Sequence, residues 1–97
     1  MKAVFISFDQ AHKEDLIRIL DKQLIRGYTF WEATQGRGTT SGEPHYGSHA
    51  WPSLNNSILC VIDNKKVSQL KENLKALDEA SPMLGLRLFI WPIEDMY

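Results

Sequence analysis

Three runs of nearly unbroken apolar residues constrain this chain most. They are "KAVFISF" at 2–8, "SILCVID" at 57–63 and "LRLFIWP" at 86–92. Each is short, rich in β-branched and aromatic residues, and stopped by an acidic residue or proline, the pattern of a strand. A sheet with one wet face alternates apolar and polar side chains, whereas these runs carry apolar residues on both faces. The fold must therefore cover both faces of its sheet.

The segments between the runs supply one cover. Leu16, Ile19, Leu20, Gln23 and Leu24 recur at helical spacing, with Lys13, Asp15, Arg18 and Lys22 largely off that stripe. Asp9 is placed to cap this helix and Gly27 sits where a C-terminal glycine is expected. Val67, Leu70, Leu74 and Leu77 form a second stripe, opened by Asp63 or Asn64 and ended by Ser81-Pro82. "YTFWEA" at 28–33 is a further extended segment. The order strand, helix, strand, strand, helix, strand predicts an α+β, ferredoxin-like βαββαβ sandwich. It has a four-stranded antiparallel sheet, with the first and third strands central and two helices on one face. Residues 1–97 make a single domain on length. The second sheet face then needs another cover, and an oligomer packed through its sheets is expected; a loop or tail folded over the face is the alternative.

Charge excludes several classes. Eleven basic and twelve acidic residues give a net charge of -1, with no block of like charge. A nucleic-acid arm or a basic membrane patch is not expected. No apolar run reaches the length of a membrane span, and "MKAVFISFDQ" lacks the features of a signal peptide. The lone Cys60 forms no intrachain disulfide and reads as an inert core thiol. Asn55-Asn56-Ser57 then matches a glycosylation sequon by chance. The cytoplasm is the expected location.

"TQGRGTTSGEPHYGSHAWP", residues 34–52, holds four of the six glycines and two of the three histidines, with almost no aliphatic residue. It cannot join a core. Gly36-Arg37-Gly38 follows a strand, so backbone N–H groups and a guanidinium could meet an anion there. It lacks the third glycine of a dinucleotide fingerprint and no helix follows, so on its own it reads as a flexible turn. Glu43, His45 and His49 have the chemistry of a three-ligand metal site, but the spacing suits a helix that this glycine- and proline-rich segment does not form. No nucleophile has a base and orienting group beside it, so no catalytic residue is assigned and no enzymatic activity is expected.

Taken together, these segments resemble the PII signal-transduction family and its PII-like relatives. Residues 1–38, ending "EATQGRG", are similar to the family's first strand, helix and second strand with the "EVKGFGR" lead into its T-loop. "NNSILCVIDNKKVSQLKENLKAL" is similar to the third strand and second helix, "KIEIVVDDEQVDEVVEAI". "LRLFIWPIEDMY" is similar to the "GKIFVSPVEEAI" ending. The resemblance implies a homotrimer with inward-facing sheets and a T-loop-like segment at about 36–53. It also implies a signalling role: a small effector binds in clefts between subunits, and the loop docks on a transporter or metabolic enzyme.

Carried over residue by residue, the effector positions are Gly36, Arg37, Gly38, Gly85 and Arg87. The family's glycine-rich phosphate segment corresponds here to "SPMLGLRLF". The effector is left open between an adenine nucleotide and another small anionic metabolite. His45, Tyr46, His49 and Trp51 are the loop residues expected to meet a partner. The alternative is a divalent-metal-binding trimer resembling CutA-type proteins, with Glu43, His45 and His49 as ligands. An acylphosphatase-like enzyme and an amino-acid-binding ACT-type module rank below both.

Overall fold

The computed structural model describes residues 1–37, 44–47 and 54–97. They build one four-stranded antiparallel sheet with two α-helices. In chain order these are β1 (Lys2–Asp9), α1 (Lys13–Lys22), β2 (Thr29–Thr34), β3 (Asn55–Ile62), α2 (Asn64–Ala80) and β4 (Leu86–Pro92). The sheet order is β2-β3-β1-β4, with β1 and β3 central, as the ferredoxin-like reading requires.

Register divides the side chains between two faces. Val4, Ile6 and Phe8 stand on one face with Ile58 and Cys60 of β3 and with Leu86, Leu88 and Ile90 of β4. The helices cover this face, where Leu16, Leu20, Leu70 and Leu74 complete the core. Asp9 and Asp63 cap as expected: Asp9 accepts from the Ala11 N–H through a short 3-10 turn, and Asp63 from the Lys65 N–H.

The end of α1 departs from the expectation. The helix stops at Lys22, and Leu24, not Gly27, takes the left-handed conformation, with φ of 58°. The Leu24 N–H bonds the Asp21 carbonyl, and the Ile25 N–H bonds the Leu20 carbonyl. This is the Schellman pattern, in which an apolar residue after the turn packs back onto the helix. Ile25 and Leu20 are both core residues, and their burial fixes the turn one residue past Gln23. Leu24 therefore leaves the apolar stripe and is exposed.

β2 carries a bulge. Trp31 pairs with Ser57 and Thr34 with Asn55, so Glu32 and Ala33 both stand opposite Asn56. Ala33 adopts φ of 58°, and its N–H donates to the Asn56 side-chain oxygen. The polar start of β3 is thus paired and buried, two residues earlier than the apolar run suggests.

Candidate functional site: a cleft at the base of the loop

The face away from the helices is graded in polarity. One row holds Trp91, Ala3 and Val61, and the next Phe89, Phe5, Leu59 and Thr29. Beyond them come Arg87, Ser7, Ser57 and Trp31, then Asp9, Asn55 and Thr34. The apolar half is open: Trp31, Phe89 and Trp91 are 43%, 57% and 44% exposed. Phe5 lies in ring contact with Trp31.

The polar end is covered by the loop's own base. Gly36 and His45 exchange two backbone hydrogen bonds, of 3.0 and 2.6 Å, which bring the outgoing and returning limbs side by side. The His45 side chain is buried against the sheet. Its Nδ1 lies 2.5 Å from Asn55 Oδ1 and 3.5 Å from Asp9 Oδ2. Both neighbours are acceptors, so Nδ1 carries the proton and donates. Asn55 in turn donates to Ser7 Oγ at 3.5 Å, and Thr34 and Ser57 share a hydroxyl hydrogen bond. Asp9, His45 and Asn55 are buried polar residues joined through the imidazole, and the buried Ser57 is satisfied separately by Thr34.

Between the loop base and the connection from α2 to β4 lies a cleft of about 370 Å³. Gly36, Arg37 and His45 form one wall, and residues 82–85 with Asp78 form another. Its floor is the sheet: Phe5, Ser7, Asn55, Arg87 and Phe89. Gly85 turns the chain into β4 with φ of 80°, a conformation that glycine adopts without strain. Two guanidiniums beside a glycine turn and an aromatic floor make a site for a small anion with an apolar portion.

The cleft thus brings together Gly36, Arg37, Gly85 and Arg87, far apart in sequence. Gly38, Glu43, His49 and Trp51 lie outside the described residues. Tyr46 is exposed and does not line the cleft, while His45 is buried in its wall. Among the described residues no group of three His, Cys, Asp or Glu side chains is placed to hold a metal. Sequence reasoning missed Asp9, Asn55, Ser7, Asp78 and Phe89. In the sequence Asp9 reads only as a cap, and Asn55 as part of a sequon. Cys60 packs in the core on the opposite face, where burial pushes its thiol up to about 11. That removes it as a nucleophile at neutral pH.

No protein-family profile matches the sequence, and no curated protein matches it. Solved structures do. One is CPII from Thiomonas intermedia K12, a nitrogen regulatory PII-like protein. Its complex with ADP and bicarbonate superposes with a TM-score of 0.75 at 25% identity, covering 95% of this chain and 84% of CPII. The apo form gives 0.74 at 22% identity, covering 95% and 87%. A candidate PII-like signalling protein from Thermus thermophilus gives 0.64 at 19% identity, covering 93% and 83%. The chain has the fold of PII-like proteins. The cleft lies beside the described base of the segment that joins β2 to β3, at Gly36, Arg37 and His45. Among the described residues no helix is long and apolar enough to cross a membrane.

Proposed function

We propose that the protein is a PII-like regulator that binds a small anionic effector in this cleft and performs no chemistry on it. The convergence of Arg37 and Arg87 with Gly36 and Gly85 at the root of the loop carries the reading. A guanidinium meets a phosphate or carboxylate oxygen pair bidentately. Phe5, Phe89 and Met83 offer apolar surface to the rest of the ligand, and Asp78 can accept from a hydroxyl or amino group. CPII, of the same fold, is solved with ADP and bicarbonate, so those two and AMP are the first effectors to test.

The cleft opens on the same sheet face as Phe89 and Trp91. A homotrimer packed through that face covers the apolar half and closes the cleft with a neighbouring subunit. An effector that favours one arrangement of the loop base then changes the surface the loop presents. The target is a cytoplasmic enzyme or the cytoplasmic side of a transporter.

Titration calorimetry with ADP, AMP and bicarbonate is the test. Arg37→Ala and Arg87→Ala should each weaken binding by about 10- to 100-fold, since a hydrogen bond to a charged group contributes roughly 1.5–3 kcal/mol. Absence of binding by the assembled wild-type protein, or affinities untouched by both substitutions, would sink the reading.

A further inference from the structure

We infer that His45 is the positioning residue of the loop, a latch that pins its returning limb to the sheet and so holds Gly36 and Arg37 over the cleft. This rests on the effector reading for its function but on geometry alone for its existence. Gly36 is joined across to His45 by the paired backbone bonds, so wherever His45 is held, Gly36 follows. His45 itself is held by its ring, through Nδ1 to Asn55 Oδ1 on β3 and Asp9 Oδ2 at the end of β1.

Both anchors are buried and held by other contacts. Asp9 is 3% and Asn55 7% exposed. Asp9 is also fixed by the Ala11 N–H at 2.8 Å, and Asn55 by its register with Thr34. Next to them the Gln10 N–H donates to the Leu54 carbonyl, tying the two strand ends together. The latch thus joins the returning limb at His45 to the buried, hydrogen-bonded ends of the two central strands. Without the imidazole, Asp9 and Asn55 lose a donor, and the backbone bridge at Gly36 loses the ring that anchors it.

The experiment is amide hydrogen exchange on the full chain, comparing wild type with His45→Ala and His45→Asn. Asparagine places an N–H the same number of bonds from the backbone as Nδ1. In His45→Ala the amides of Gly36 and residue 45 should exchange several-fold to roughly tenfold faster, the loss of about one net hydrogen bond to a neutral amide oxygen. Core amides at Val4, Ile6 and Ile58 should not change, and His45→Asn should restore most of the protection. Unchanged exchange at Gly36, acceleration spread equally over the core, or no rescue by asparagine would each overturn the latch. ADP titration of the same variants reads the functional half separately. Weaker binding in His45→Ala and recovery in His45→Asn support a positioning role; equal affinity in all three overturns it. A wild type that binds no ADP counts against ADP as the effector, while the exchange result still decides the latch.

Discussion

Replacing Trp91 by serine should dissociate the proposed homotrimer without removing a side chain that lines the cleft within the protomer. Trp91 is 44% exposed on the open face and does not line the cleft. A tryptophan presents up to about 250 Å², so roughly 100 Å² of Trp91 is available to a neighbour. At about 25 cal/mol per Å² that is roughly 2.5 kcal/mol per protomer. A closed trimer repeats the substitution three times, for a loss of about 7–8 kcal/mol in the trimer as a whole. A tenfold change costs about 1.4 kcal/mol. Because the midpoint concentration of a trimer follows the square root of its dissociation constant, the midpoint should rise by roughly 500-fold on that scale.

Sedimentation velocity over a dilution series reads this directly. Tyr97→Ser, at a fully exposed position, should leave the midpoint alone. Trp91→Phe should fall between wild type and serine. Circular dichroism on each variant separates dissociation from unfolding. A wild type that sediments as a monomer at micromolar concentration, or a Trp91→Ser protein with an unshifted midpoint, would refute the assignment of this face to subunit contact.

Other positions are predicted as directly. Leu24→Gly should stabilise the fold by about 0.5–1 kcal/mol, because a left-handed non-glycine residue costs roughly 1–2 kcal/mol and Leu24 has little burial to lose. Thermal unfolding at fixed protein concentration should show a rise of a few degrees, and a fall would refute the account of the turn. Asp63→Ala should cost about 1 kcal/mol by removing the cap of α2, read from the urea midpoint. Cys60 makes stability pH-dependent in one window. Its thiol titrates at about 11 when folded against a usual 9.0, so the folded state holds the proton more tightly. The contribution is whole below pH 9 and is lost as pH rises toward 11, by at most about 2–3 kcal/mol. Wild type should therefore lose more stability across that window than Cys60→Ala, and parallel pH curves would count against it.

The elements were legible because their signals are made of many residues. Three apolar runs and two helical stripes define five elements, and chirality leaves few ways to connect them. What was hidden rests on single residues whose local preference yields to packing. Gly27 has the better intrinsic credentials for a helix end, but burying Ile25 against Leu20 places the turn at Leu24. Asn55 and Asn56 look like loop residues, yet Asn56 completes the bulge and Asn55 holds His45. Buried polar networks have no period, so nothing in a linear pattern announces that Asp9, His45, Asn55 and Ser7 meet. Arg37 and Arg87 were paired through family resemblance, because no spacing in the chain brings residues so far apart in sequence to one cleft.

The loop base has a second attachment that tests how rigidity there relates to binding. Gly47 has φ of 65°, and a Cβ on it would fall 2.5 Å from a methyl carbon of Leu54. Alanine at this position is strained by roughly 1–2 kcal/mol through its backbone alone. Leu54 is only half-buried, so its side chain can yield to the contact, and backbone strain decides the outcome. Gly47→Ala should open the base without touching the ring contacts of His45. If the closed base is the form that receives an effector, apparent affinity falls in proportion to the closed fraction. A base that is closed nearly all the time absorbs part of the strain silently, whereas one near balance passes it on to binding. Exchange at the Gly36 amide measures that balance, and calorimetry with ADP measures the affinity. Proportional changes in Gly47→Ala and His45→Ala, two chemically unrelated substitutions, would tie recognition to the closure of the base. An opened base in Gly47→Ala with undiminished ADP affinity would show instead that the cleft binds through its arginines whatever the loop does.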